Sequence, residues 1–256
     1  MQWGFWRWGD ELESISAFFP AFNDAATIGR LVEKTFQLLQ DSGRDFEVLV
    51  VDDGSADQTP EILRQLAARY GSAFRTVRHP VNRGYGAALR SGFSAATKDL
   101  VFYTDGDGQY DPSELQLLLA RLEPQVGLVN GYKIKRHDPF YRVFIGKIYN
   151  AFVRALFRIT VRDVDCDFRL IRRSLLVKTC LRSETGAICV ELLRELEDLG
   201  CQAVNVPVHH YPRTAGQSQF FRWRSVFATL KQLGLLYFRR RAPLRSADEL
   251  WEPDPK

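Results

Sequence analysis

Three times before residue 110 the chain passes through a short, β-rich apolar run and stops on acidic, small or turn-forming residues. Residues 14–19 lead into Pro20-Ala21-Phe22-Asn23-Asp24, residues 46–51 into Asp52-Asp53-Gly54-Ser55, and residues 100–103 into Thr104 and Asp105-Gly106-Asp107-Gly108-Gln109. Helical segments fill the intervals. Residues 26–40 carry Ile28, Leu31, Val32, Phe36 and Leu39 at helical spacing, 59–70 have Pro60 in their first turn, and 85–96 form a third helix. With a weaker strand at 74–77, a helix at 112–122 and extended chain at 126–129, the order is βαβαβαβαβ. Such alternation predicts an α/β fold, a mainly parallel sheet with helices on both faces.

Beyond Gly131 the rhythm changes. A long basic and aromatic helix is expected at 140–157, a strand at 168–171, a helix closed by Gly200 at 190–199, and a strand at 203–208. A turn-rich loop follows at 209–218, then an amphipathic helix at 223–239. No internal repeat is visible. With 256 residues and 45% hydrophobic content the chain can build a substantial core. The formal charge of +4 is uneven: Arg222, Arg224, Arg239, Arg240 and Arg241 crowd one end, which points to an anionic partner such as a phosphate, nucleic acid or a membrane surface. Cys166, Cys180, Cys189 and Cys201 lack metal-ligand spacing and read as reduced thiols. The start, aromatic at Trp3, Phe5, Trp6 and Trp8 but acidic at once after, does not read as a signal peptide. No run reaches the roughly 18 apolar residues of a spanning helix.

In an open parallel sheet ligands gather beyond the carboxyl ends of the strands. Any one of the three polar clusters is explained by capping and turn chemistry, but three at successive strand ends place five acidic residues on one rim. Their repulsion calls for a cation or hydrogen-bond donors. Asp105 and Asp107 flank a glycine on a turn leaving a strand, a spacing that lets both carboxylates converge on a hard cation, Mg²⁺ or Mn²⁺, with Gln109 adding a carbonyl oxygen. Gly84-Tyr85-Gly86 lacks the third glycine of a dinucleotide fingerprint and reads as a tight turn opening a helix.

PAFND, VDDGS, NRGYGAAL, DGDGQ and the late RTAGQS, in this order, resemble family 2 glycosyltransferases of the GT-A fold, and more narrowly the dolichyl- or polyprenyl-phosphate sugar synthases. The similarity runs from about Ile15 to about Ser218. The resemblance implies that Pro20, Phe22, Asp24, Val51 and Asp53 border the nucleotide of a GDP- or UDP-sugar, that Asp105 and Gly106 line the sugar diphosphate, and that Asp107 with Gln109 binds the metal. Phe22 stands for the family's Tyr and Asp24 for its Glu, changes that bear on which base is read.

The same resemblance extends to the acceptor. Arg142, Gly146 and Asn150 fall on the R-x-x-x-S-x-x-x-N pattern, so Arg142 matches the acceptor-phosphate arginine while Gly146 lacks the hydroxyl. Lys133 falls on a donor- or acceptor-contacting arginine. Arg169, closing the DVDCDFR segment, is a second expected acceptor-phosphate contact, and Asp163 and Asp165 orient it. Arg213 would stabilise charge on the leaving nucleoside diphosphate, making Asp105, Asp107 and Arg213 the expected catalytic set. Gln219 replaces a family Lys, whose charge would come from Arg222. Glu191 reads as a surface residue.

The expectation is inverting transfer of a sugar to a polyprenyl phosphate by a protein without transmembrane spans, peripheral on the cytoplasmic face of a membrane, with no nucleic-acid partner. Two alternatives stand beside it. One is a saccharide or protein hydroxyl as acceptor, which would need Asp163, Asp165 or Asp167 as base; the other is a non-catalytic nucleotide-sugar-binding protein. The expected organisation is an aromatic segment at 1–13, the GT-A domain at 14–218, a basic amphipathic helix at 219–241 and a polar tail at 242–256.

Overall fold

A computed structural model describes residues 12–134, 140–213 and 223–239, with side chains from 143 and 227 onward in the second and third stretches. The first half follows the alternation in the sequence: β1 (Ile15–Ala21), α1 (Ile28–Asp41), β2 (Phe46–Asp52), α2 (Thr59–Tyr70), β3 (Phe74–Arg78), α3 (Tyr85–Ala95) and β4 (Leu100–Thr104). A 3₁₀ turn at Pro112–Glu114 leads into α4 (Leu115–Leu119), then β5 (Val126–Ile134). The expected helix at 112–122 is thus cut to one short α segment. Asp111 caps its start through Ser113 N, and Pro112 favours the tight turn. The remainder is α5 (Phe140–Phe157), β6 (Phe168–Arg172), α6 (Arg173–Leu176), α7 (Ala187–Asp198), β7 (Gln202–His209) and α8 (Trp223–Phe238).

The sheet order is β3-β2-β1-β4-β6-β5-β7. Pairs β1–β2, β1–β4, β2–β3 and β5–β7 are parallel. β6 enters between β4 and β5, antiparallel to both. The mainly parallel sheet is as expected, but β5 is not β4's neighbour. β5 is also longer than the four residues foreseen, because it pairs with β7 out to Ile134↔His209.

Every residue of β1 is buried, as a central parallel strand covered on both faces requires. Alternate residues feed two cores. Ile15, Ala17 and Phe19 meet α1, α2 and α4 on one face. Phe18, Leu49, Val51 and Tyr103 meet α3, α5, α7 and α8 on the other. α8 contributes Leu233 and Leu236 to this second core, and Gln232 Oε1 accepts from the backbone N–H groups of Glu184 and Thr185. Glu47 is buried near the opposite end of the sheet. It accepts from Ser16 Oγ at 2.6 Å, from Thr97 N at 2.7 Å and from Arg75, and these donors hold its carboxyl below the usual range against the cost of burial.

Candidate active site

The carboxyl ends of β1, β2 and β4 open on one rim, where the backbone ties the three polar clusters together. Asp53 N donates to Ala21 O at 2.9 Å and Gly106 N to Pro20 O at 3.1 Å. Asn23, held at φ 57°, uses its side-chain oxygen to accept from Ala56 N at 2.9 Å. Thr27 Oγ1 donates to Gly106 O at 2.7 Å. At residue 106 a Cβ would stand 2.8 Å from Pro20 O and 3.4 Å from Asp24 Oδ2, so only glycine lets the β4 turn close against the β1 turn.

This closure brings Asp24, Asp105 and Asp107 within reach of one another's charge. Asp24 Oδ2 accepts from Phe22 N at 3.0 Å, yet burial, reinforced by the charge of Asp107, pushes its carboxyl up to about 6. Asp105 Oδ1 accepts from Tyr85 Oη at 2.8 Å; burial first, then the charges of Asp167 and Asp107, hold it well above the usual carboxylate range. Asp107 is raised mainly by burial, with Arg213, Gln109 N and Lys133 opposing. Its Oδ1 accepts from Gln109 N at 3.0 Å, and its Oδ2 pairs with Arg213. Arg213 and Lys133 offset only part of this crowded negative charge, since all three carboxyls stay raised, the condition of a site that receives a cation or hydroxyl donors.

Several site expectations change on inspection. Asp53 does not present its carboxylate to a ligand: Oδ1 accepts from Arg83 N and engages His79 Nδ1 at 2.6 Å, and Oδ2 accepts from Gly84 N. It therefore fixes the turn that opens α3, behind Tyr85. Val51 is fully buried in the core, so its side chain does not line the rim. Arg169 is also fully buried. It donates to Asn130 Oδ1 at 2.7 Å, Val164 O at 2.7 Å, Asp167 Oδ1 at 3.2 Å and the Tyr103 hydroxyl, which leaves no face for an acceptor phosphate. Gln109 turns its amide nitrogen to Tyr211 O, tying the β4 turn to the segment that carries Arg213 without using the carbonyl oxygen expected to meet the cation. Glu191 is buried rather than on the surface, accepting from Arg182 N and Ser183 N and pairing with Arg239.

Pro20, Phe22, Asp24, Asp105, Gly106 and Asp107 do meet on the rim. Lys133 reaches it electrostatically from the end of β5. The side chain of Arg142 lies outside the described residues, as do residues 1–11, 214–222 and 240–256, on which the aromatic segment, most of the RTAGQS motif and the polar tail fall. Asn150 accepts from Val164 N and donates to Arg162 O, so it pins the turn before β6.

The sequence reading missed Tyr85 and Cys189, and it named Asp167 only as one of three possible bases for a hydroxyl acceptor. Tyr85 was seen only as part of a turn, and its hydroxyl bonds to Asp105. The NRGYG turn packs as expected of an architectural element: a Cβ at Gly86 would lie 2.1 Å from Ser183 O, and Gly86 N donates to Glu184 O at 2.9 Å. The contact partner lies about a hundred residues on, so nothing local announces it.

Comparison with known proteins agrees with this fold. The chain is 27% identical over 213 residues to an undecaprenyl-phosphate 4-deoxy-4-formamido-L-arabinose transferase of Enterobacter sp. (strain 638), covering 82% of this chain and 64% of the relative. The protein of that name from Edwardsiella ictaluri (strain 93-146) is 27% identical over 228 residues, 88% of this chain and 66% of its own length. The chain therefore spans just under two thirds of these relatives. Among solved structures, glucosyl-3-phosphoglycerate synthase from Mycobacterium tuberculosis, in complex with Mn²⁺, uridine diphosphate and glucosyl-3-phosphoglycerate, shares the fold with a TM-score of 0.63 at 20% identity, over 88% of this chain and 76% of that one. Its complex with phosphoglyceric acid gives 0.67 at 21% identity, over 87% and 80%. Residues 16–179, more than half of the sequence, match the family described as Glycosyl transferase family 2, and the chain belongs to that family.

Proposed function

We propose that the chain transfers a sugar from a nucleotide-sugar donor to a polyprenyl phosphate, with inversion at the anomeric carbon. The observation that carries this reading is the meeting of Asp24, Asp105 and Asp107 at the carboxyl ends of three strands, with Arg213 already drawn to Asp107. The names of the curated relatives support a polyprenyl phosphate acceptor. An acceptor phosphate is an anion near neutral pH, so the chain need supply no strong base; positioning by cations does the work.

The rim fits a divalent cation. Its donors are hard carboxylate oxygens raised by burial and mutual repulsion. Among the described residues no group of three or more His, Cys, Asp and Glu is placed to hold a metal alone. Asp107 would therefore hold Mg²⁺ or Mn²⁺ together with the donor's own diphosphate oxygens, and such a cation neutralises the charge of the departing diphosphate. Phe22 and Asp24 would border the nucleotide, Asp105 and Gly106 the sugar diphosphate. Arg213, released from Asp107, would turn to the diphosphate, with Lys133 beside it. Arg142 would meet the acceptor phosphate.

The acceptor's lipid places the reaction at a membrane surface. No helix of the described residues is long and apolar enough to cross a membrane. α8 turns one side to the core, while Phe227, Leu230, Leu235 and Phe238 are exposed; α5 exposes Phe144, Ile145, Ile148 and Phe152. We place these faces against lipid at the cytoplasmic surface, with α8 as an interfacial helix.

The test is a thermal-shift panel of UDP- and GDP-sugars with Mn²⁺, followed by transfer from the stabilising donor to a short polyprenyl phosphate. Cation-dependent stabilisation and a sugar-phosphate-lipid product are expected. Stabilisation with transfer only to saccharide hydroxyls would replace the acceptor, and binding without any transfer would leave a nucleotide-sugar-binding protein.

A further inference from the structure

The antiparallel pairing of β4 with β6 sets Thr104 opposite Phe168 and Tyr103 opposite Arg169. Asp105 and Asp167 are the residues just beyond this last pair, and each lies within reach of the other's charge. Arg169, which donates to both Asp167 and the Tyr103 hydroxyl, ties Asp167 to the face of the sheet that carries Tyr103. Like charges set opposite each other on one face destabilise a sheet unless something lies between them. The two carboxylates are nevertheless held differently. Asp167 Oδ1 accepts from Arg169 Nη1 at 3.2 Å and from Cys189 Sγ at 3.1 Å, while Oδ2 takes no hydrogen bond from the described residues. The side chain is 15% exposed, so it is not sealed in the core as Arg169 is. After burial, the charge of Asp167 is the largest influence on Asp105, and it is felt at Asp107 and Tyr85 as well.

The chemistry that an oriented, open carboxylate can meet here is narrow. The donor's diphosphate and an acceptor phosphate are both anions and are repelled by it. The remaining part of the reactants is the transferred sugar, neutral and rich in hydroxyl donors. A hydroxyl donating to an ionised acceptor makes one of the stronger hydrogen bonds, with geometry that reads position on the ring.

We propose that Asp167 is a specificity residue: its free Oδ2 accepts a hydrogen bond from a hydroxyl or amino group of the transferred sugar, opposite the side lined by Asp105. Arg169, which the sequence placed at the acceptor phosphate, is then the group that orients Asp167. This inference rests on the glycosyltransferase reading above.

The experiment compares Asp167→Asn and Asp167→Glu with the wild type by calorimetric titration in Mn²⁺, using UDP against UDP-glucose and GDP against GDP-mannose. Asn preserves the oxygen that Arg169 uses, and Glu preserves the charge but displaces it by one methylene. Where the wild type binds a sugar nucleotide more tightly than its nucleoside diphosphate, both variants should lose about tenfold for the sugar nucleotide and less than twofold for the diphosphate. Equal losses for the two ligands, or full rescue by Glu, would make Asp167 a mere support for Arg169 and overturn the proposal. Unchanged affinities in both variants, or a wild type in which the sugar adds nothing, would do the same. A wild type that binds neither nucleotide nor sugar nucleotide would remove the glycosyltransferase reading itself, and this proposal with it.

Discussion

Asp24→Asn isolates the electrostatic cost of assembling the rim. The native carboxyl is raised from its ordinary 3.8 to about 6, by burial first and by the charges of Asp107 and Asp57, with Phe22 N and Arg213 opposing. Its folded pKa lies above its unfolded one. Asp24 therefore costs no stability below pH 3.8, and the cost grows as pH rises through about 6 and is complete above it. A rise of roughly two units corresponds to about 3 kcal/mol, and the partial exposure of the side chain reduces this to about 2 kcal/mol. Asn keeps an oxygen for Phe22 N without the charge. Chemical denaturation of the ligand-free protein should therefore find the variant about 2 kcal/mol more stable than wild type at pH 7.5 and within about 0.5 kcal/mol at pH 4, alongside weaker donor binding. A gap that is absent at pH 7.5, or that widens as pH falls, would refute the idea that burial and its acidic neighbours raise Asp24.

Asp107→Asn should abolish turnover while leaving the circular dichroism spectrum and melting temperature close to wild type; near-normal activity at saturating Mn²⁺ would remove Asp107 from the cation site. Arg213→Ala should lower kcat far more than it raises KM for the donor, because charge on the leaving diphosphate develops in the transition state; an unchanged kcat with a raised KM would mean simple donor binding. Gly86→Ala should destabilise by about 3 kcal/mol or more, since its Cβ would meet Ser183 O at 2.1 Å, and urea denaturation measures it. Replacing exposed Phe227 and Phe238 together by Glu should abolish flotation with anionic vesicles while leaving thermal stability intact; undiminished flotation would take α8 away from the lipid surface.

Much of the fold is local in origin, and so it is legible in the sequence. The first strands and helices, with Thr59–Tyr70 correct to the residue, and later the helix Phe140–Phe157, follow from apolar periodicity and from turn residues between them. The acidic clusters were likewise found where strands end, since a parallel sheet sends its ligands to that edge. Tertiary structure alone decided what depends on distant partners. β6 could not be placed between β4 and β5 from its own five residues, and that insertion buries Arg169 and brings Asp167 within reach of the charge of Asp105. Whether a charged residue is offered to a ligand or consumed inside depends on which distant donors reach it. Asp53 is spent on His79 and the backbone of Arg83 and Gly84, and Glu191 on Ser183 and Arg239, whereas Asp105 and Asp107 remain at the rim. Composition and spacing fix which residues carry charge; only the packing of remote segments fixes which of those charges are sealed inside and which stay at the rim, and a binding site is made of the latter.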